Sequence, residues 1–560
     1  MWAAAVYAAA FVGLAAVGAV RAFSPVPLSD AWDGYLNFFI RVSNGEWSAW
    51  WAQHNEHRLF WSRILFWIDL KWLGGTGWPL LVVIFAVMGL AALVFWSFLR
   101  DILGDDVHEP IAGVIGFFIV GMLFLWSQVE NLAWSFETHF VLAQLIPLCA
   151  FYWLHRSTVD DGHSTRNFAV ACCFGLAAIG AMANGVVVLP LMIAFALIMR
   201  QRAWRIGVLA ALSVAELAVY FVGYQSIKGP GGSLLGSLKS NPIGMVKYVL
   251  VYLGDPFYQA ARWWYFSYTA GLVIGAVAGL LLIGCSLWFA VRVLRQPRPS
   301  SARLGLLFFI LYVGGTALGA AGGRLGFGWE QALASRYTTP TLMAWAALLV
   351  LFSPFIVARA RLDRRVIWFF VAAVVAMVPL QYAALRSQET VLFQRKVAAL
   401  ALALDVNDPK QIEVVYPVPD RALAIAKVAV VRRLSVFGAP PLRGLGQAVG
   451  SHYATGTAAA SEGRLETTTP VADPRYVRVT GWIYDPGRGE SPRSVAIVSQ
   501  DSRLVGYAFT GGSRPDLRGA FGKAAYRAGL AGYVLADEIG QPVFVVSDTG
   551  DSQFAAVVPR

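Results

Sequence analysis

The sequence predicts a mainly α protein: a polytopic transmembrane helix bundle of about eleven spans, interfacial helices in the first outside loop, and a C-terminal soluble α/β plus β-sandwich-like domain. Three observations lead there. The 560 residues are 57% hydrophobic and only 14% charged, which takes the chain outside the range of water-soluble globular proteins. The apolar residues come in blocks of about 20, the length that crosses a hydrocarbon core. After residue 385 those blocks stop, and Gly, Pro and Asp punctuate shorter runs.

The blocks fall near 3–22, 78–98, 111–127, 139–154, 167–182, 186–200, 206–225, 267–291, 304–322, 338–357 and 366–384. Met1–Ala22 has no basic residue ahead of its apolar run, so it reads as a retained first span rather than a cleaved signal peptide. Lys and Arg are denser in loops 99–110, 155–166, 200–205, 292–303 and 358–365 than in the loops of the other side. By the positive-inside tendency the N-terminus is then cytoplasmic and the C-terminal domain outside; Arg21, at the outer end of the first span, runs against the rule. The same topology explains the net charge of +12, whose basic residues are scattered between apolar blocks, and no nucleic-acid partner is expected. Cys149, Cys172, Cys173 and Cys285 all sit in apolar segments, which excludes a disulfide framework and a C-x-x-C metal site.

The expected domains are 1–385 in the membrane, 386–470 as an extracytoplasmic α/β segment and linker, and 471–560 as a small β-rich domain. Gln411–Val415 reads as a strand and Arg421–Leu434 as a helix with apolar positions three and four apart. Residues 440–470, rich in Gly, Ala, Ser and Thr, read as the linker. Tyr476–Trp482, Ser494–Ser499 and Val543–Val546 read as strands of a β-sandwich. Trp482 and Tyr484 share one face of their strand, where they either stack on a sugar or, the favoured reading, fill a core.

Candidate chemistry concentrates at the outer ends of the spans. Asp30 and Asp33, three apart in D-A-W-D-G-Y, face the same way on a helical turn; two close carboxylates suit general-base work. Asp30 is equally suited to cap an interfacial helix whose Trp32 and Tyr35 belong to an aromatic belt. In Q-H-N-E-H-R, ahead of the amphipathic run 59–70, His54 and Glu56 are of the types that ligate a divalent cation, and His57 and Arg58 of the types that hold a phosphate. A hydrogen-bonded structural cluster explains the same residues. Gln128, Glu130, Asn131, Glu137 and His139 lie at a span end, where polar groups are costly unless they face a cavity or one another. Asn184-Gly185 adds amide donors to such a pocket or is a tight turn. Arg336-Tyr337 precedes a late span, as a phosphate ligand or as an interfacial anchor, with Glu330 in the same loop.

With these residues placed, the layout resembles the glycosyltransferase-C superfamily, polytopic enzymes that take a sugar from a polyprenyl-phosphate donor. Asp30 and Asp33 match the acidic motif that members carry after the first span, and Arg336-Tyr337 resembles the pair that many carry before a late one. The H-N-E-H-R and E-N-L-A-W-S-F stretches look like those of a large group of bacterial membrane proteins usually grouped with it. The tail, with G-W-x-x-D-P at Gly481–Pro486 and R-P-D at Arg514–Asp516, resembles small β-domains appended to some bacterial glycosyltransferases. The resemblance covers about residues 1–385 and implies an inverting glycosyltransferase. Asp33 or Asp30 is then the base, and Arg336, Tyr337, Arg58 and His57 hold the donor phosphate. Glu56, His54, Glu130, Asn131 and Gln128 line the substrate pocket, at the periplasmic face of a bacterial inner membrane, and a divalent cation is a candidate cofactor, with His54 and Glu56 as candidate ligands. Its expected partners are membrane lipids, a polyprenyl-phosphate-linked sugar, and a glycan, lipid or pilin-type acceptor.

The rivals are a transporter or flippase, or a polymerase of lipid-linked surface polysaccharide. A transporter predicts paired half-chain repeats and charges in mid-span, neither of which stands out. A polymerase predicts one large late outside loop, whereas the first loop is the longest here.

Overall fold

A computed structural model describes residues 1–159, 162–225, 234–454 and 459–560. Every apolar block of the sequence is helical, and among the described residues eight helices are long and apolar enough to cross a membrane. The blocks at 139–154, 167–182 and 186–200 give helices that miss that measure. Thr138–Arg156 carries His139, Gln144 and His155 along its length, and Ser164–Ala177 and Val188–Ile198 are short. The break between the last two is a tight turn, since a Cβ on Gly185 would lie 2.1 Å from the Ala178 carbonyl oxygen. Small residues also set helix contacts. A Cβ on Gly279 would lie 2.0 Å from the Leu250 carbonyl oxygen, so Pro242–Leu253 and Tyr268–Leu294 meet backbone against backbone.

The chain divides into two compact units. The helical unit comprises Met1–Arg21, Trp51–Ile64 and Leu80–Arg386; the second comprises Ala22–Trp50, Leu65–Pro79 and Ser387–Arg560.

In the second unit the first loop is helical, as expected. A π-helical turn, Trp32–Asn37, runs into the helix Phe38–Ser43, and the part of the amphipathic helix Phe60–Trp72 from Leu65 onward belongs here too. Trp32, Leu36 and Phe38 are buried. The helix Pro419–Val431 matches its expected position. Gln411–Val415 does not form a strand. Asp408 caps a short helix, Pro409–Ile412, by accepting from the Gln411 amide, and Asp-Pro is a stronger local signal than the β-branched residues that follow.

Eight strands follow: β1 (Ala459–Ala460), β2 (Glu462–Pro470), β3 (Tyr476–Tyr484), β4 (Ser494–Ser499), β5 (Leu504–Gly512), β6 (Gly529–Leu535), β7 (Pro542–Ser547) and β8 (Ser552–Val557). They form one sheet in the order β1-β8-β7-β4-β5-β6-β3-β2. Strands β2 through β8 all contribute to its main core, Leu465, Val479, Ile497, Val505, Val534, Val545 and Phe554 among them. The expected linker therefore contains β2; its Thr-rich residues are mostly exposed, as on an edge strand, and mask the alternation. Residues 455–458 of that linker lie outside the described residues. Trp482 and Tyr484 pack on Phe521, with ring centroids 5.7 and 5.3 Å away, in a small second core beneath residues 515–528. Asp408 joins the helical segment to the sheet, accepting from Arg478 at 3.0 Å and the Tyr533 hydroxyl at 2.9 Å.

Candidate functional site

Sequence-predicted residues gather in two places, one in each unit. In the helical unit, the segment after Pro110–Leu123 meets the turn that precedes Thr338–Leu362. The Asn131 amide donates to the Arg336 carbonyl at 2.8 Å and to the Thr339 hydroxyl at 2.7 Å. Thr339 donates to Gln128 Oε1 at 2.5 Å, and Gln128 Nε2 to the Leu123 carbonyl at 2.6 Å. Gln128, Asn131 and Thr339 are fully buried, so this chain of bonds offsets the cost of holding them among apolar helices.

Glu130 accepts from the Arg336 backbone amide at 3.1 Å and faces that guanidinium at 3.5 Å. The latter distance is long for a charge-assisted bond, and the Arg336 side chain stays 24% exposed. Arg336 also lies over the Tyr337 ring, which packs on Tyr252 with centroids 5.0 Å apart. In the same region His139 faces Glu137 at 3.7 Å.

The H-N-E-H-R segment is a tight hairpin turn in which His54 and His57 exchange backbone bonds of 2.9 Å. The Ala183 amide donates to His57 Nδ1 at 3.2 Å, while Asn184 donates to Thr316 at 3.0 Å. Glu56 faces Arg324 at 3.8 Å. Arg58 is buried and donates to the carbonyls of Trp51, Tyr220 and Val222, at 2.5, 3.1 and 2.8 Å. Its guanidinium thus closes the end of Ala203–Phe221, a use that competes with the expected phosphate. Among the described residues no group of three or more His, Cys, Asp or Glu could hold a metal ion, so His54 and Glu56 gain no third protein ligand.

The helical unit also holds residues that sequence reasoning missed. Asp255 is fully buried, accepts from Thr338 at 2.5 Å and from Gln259 at 2.9 Å, and its carboxyl is pushed up to about 7 by burial against the pull of those two bonds. It fixes the first residue of Thr338–Leu362, directly after Arg336-Tyr337. Arg324 is the second. Arg324 stands in the Gly323–Pro340 stretch that carries Arg336 but was not singled out there, and only the Asp-Pro helix start marked Asp255.

In the second unit, Asp33 sits in the π-helical turn, a form that recurs at functional sites, and Asp30 stands just before it, its carbonyl accepting from the Gly34 amide at 2.7 Å. The Tyr416 hydroxyl donates to Asp33 Oδ2. Arg421 donates to Oδ1 through Nε at 2.8 Å and Nη2 at 2.5 Å. Burial, with the Asp33 carboxylate second, pushes the Tyr416 phenol up to about 12. Tyr35, read as a belt residue, instead donates to the buried Asp69 at 2.6 Å, and the Gly77 amide donates to the same oxygen at 2.9 Å. Burial raises the Asp69 carboxyl, and both bonds oppose it. Tyr416, Arg421 and Asp69 were not singled out from the sequence.

Neither protein-family models nor curated proteins match this chain. Solved structures similar to it include the oligosaccharyltransferase AglB of Archaeoglobus fulgidus in complex with an inhibitory peptide and a dolichol-phosphate. That match has 14% identity and a TM-score of 0.40, and it covers 73% of this chain and 59% of that one. The apo form of the Archaeoglobus fulgidus oligosaccharyltransferase matches at 13% identity and a TM-score of 0.39, with the same coverage. The chain therefore spans 59% of the length of these structures.

Proposed function

We propose that this chain is an inverting glycosyltransferase of the glycosyltransferase-C type that moves a sugar from a polyprenyl-phosphate donor to a surface glycan, lipid or protein acceptor. Its place is the outer face of a bacterial inner membrane. The observation that carries the reading is the Gln128–Asn131–Arg336 cluster. Segments about 200 residues apart spend a buried hydrogen-bond network on holding one half-exposed turn, and the guanidinium on that turn is only loosely paired.

A lipid phosphate is an activated leaving group, so the chemistry asks for little more than a base and a cation. The acceptor oxygen attacks the anomeric carbon opposite the phosphate, and its proton passes to Asp33, with Asp30 nearby in sequence. The bond from the anomeric carbon to the phosphate oxygen breaks with its electron pair on the phosphate, which Arg336 neutralises. Tyr337 and His57 complete the donor side. Glu56, His54, Glu130, Asn131 and Gln128 shape the pocket, Glu130 and Asn131 by fixing the Arg336 backbone. Arg58 contributes by holding its loop to the carbonyls of 220 and 222.

The test is transfer by the full-length protein in detergent from a panel of polyprenyl-phosphate sugars, comparing wild type with Asp33→Asn, Asp30→Asn and Arg336→Gln. Transfer from at least one donor, lost in Asp33→Asn or Asp30→Asn and in Arg336→Gln, is the expected result. Full activity in both aspartate variants removes the assigned base, and no transfer from any donor removes the function.

A further inference from the structure

We infer that Tyr416 and Arg421, from the segment that leads into the β-rich domain, are positioning residues for Asp33, which makes the C-terminal part of the chain a component of the catalytic machinery rather than an appended module. This rests on the proposed role of Asp33 as the base.

A carboxylate offers about four acceptor positions. Arg421 fills two on Oδ1, through Nε and Nη2, and Tyr416 fills one on Oδ2. Among the described residues these bonds leave a single acceptor position open, on Oδ2, while the side chain keeps 22% of its surface exposed. A base held this way takes a proton from one direction only, which is the geometric requirement for an attacking hydroxyl.

Independent contacts pin the acid loop to the same segment. The Ser29 amide donates to the Val415 carbonyl at 2.7 Å, one residue before Tyr416. The Ser435 hydroxyl donates to the Pro25 carbonyl at 3.4 Å, and the buried Trp32 packs on Phe437 with centroids 6.3 Å apart. These contacts already fix the loop without help from Asp33. The Arg421 side chain is 55% exposed, so its pair with Asp33 adds little to stability and needs another reason.

The experiment uses the full-length protein in detergent with an undecaprenyl-phosphate-linked sugar that the wild type accepts, comparing Tyr416→Phe, Arg421→Gln and Arg421→Lys by kcat, donor KM and melting midpoint. Tyr416→Phe and Arg421→Gln should each lower kcat about 10- to 100-fold, the penalty of a misplaced group. Donor KM should stay within about twofold and the melting midpoint should not move, because the contacts at 25, 29 and 32 remain. Arg421→Lys, which keeps the charge and one donor, should recover part of kcat. Unchanged or increased kcat in Arg421→Gln and Tyr416→Phe, with Asp33→Asn inactive, overturns the inference and leaves Asp33 as the base. Full activity of Asp33→Asn together with Asp30→Asn instead sinks the reading beneath it.

Discussion

Replacement of Asn131 separates a structural from a merely decorative role for the polar cluster. Its amide nitrogen makes two buried bonds, to the Arg336 carbonyl and to Thr339, while its own Oδ1 is buried without a partner. Asn131→Ala loses both bonds, at about 0.5–1.5 kcal/mol each, but also removes the unsatisfied oxygen, a relief of about 1 kcal/mol. The net cost is about 0–2 kcal/mol. Asn131→Asp behaves differently, because a carboxylate oxygen then faces the Arg336 carbonyl, and the Thr339 proton is already given to Gln128. Two acceptors meet with no hydrogen between them, at a cost of about 3 kcal/mol or more. Thermal melting of the full-length protein in detergent should rank wild type above Asn131→Ala above Asn131→Asp. Transfer activity should fall by about tenfold or more in both variants as the Arg336 turn loses its anchor. If the aspartate variant melts with the alanine variant and both retain wild-type activity, the bonds drawn here do not hold that turn.

Other outcomes follow from single contacts. Tyr35→Phe withdraws one of two donors from a fully buried carboxylate and should cost about 1.5–3 kcal/mol, read as a lower melting midpoint; in an Asp69→Asn background the same change should cost markedly less. Asp255 has its carboxyl raised by burial to about 7, above its unfolded value, so the stability it contributes is full below the unfolded range and is lost as pH rises through about 7. Asp255→Asn should remove that loss, so melting of the variant should depend less on pH between about 5 and 8. Arg58→Lys cannot reach three carbonyls with one ammonium and should lower the melting midpoint by the equivalent of about 2–3 kcal/mol, whereas a purely phosphate-facing arginine would leave stability unchanged.

What could be read in the sequence divides by whether a residue's environment is announced locally. The apolar blocks announce theirs, and every block is helical; Thr138–Arg156 misses the hydropathy of a span because it carries His139, Gln144 and His155, whose burial against neighbours hydropathy cannot see. Gln128 and Asn131 were found by the cost of placing polar groups at a span end, and Arg336 by its place beside Tyr337 ahead of a late span. That cost says a partner is required, not which one, and the partner of Asn131 proved to be a backbone carbonyl 205 residues away. Arg58 was named as a residue type that holds a phosphate, and its use was missed, since two of the carbonyls it closes belong to a helix end that carries no charge in the sequence. Arg421 marks the limit. It is a half-exposed arginine on an ordinary amphipathic helix, so nothing about its placement demands explanation, and only its contact with an acid 388 residues earlier gives it meaning. A desolvation penalty thus finds the groups a fold must satisfy, whereas a group that directs chemistry from the surface carries no penalty and emerges only from geometry. Tyr416 and Arg421 are of that second kind, and for that reason the Arg421→Gln measurement bears more on function than any test of the buried network.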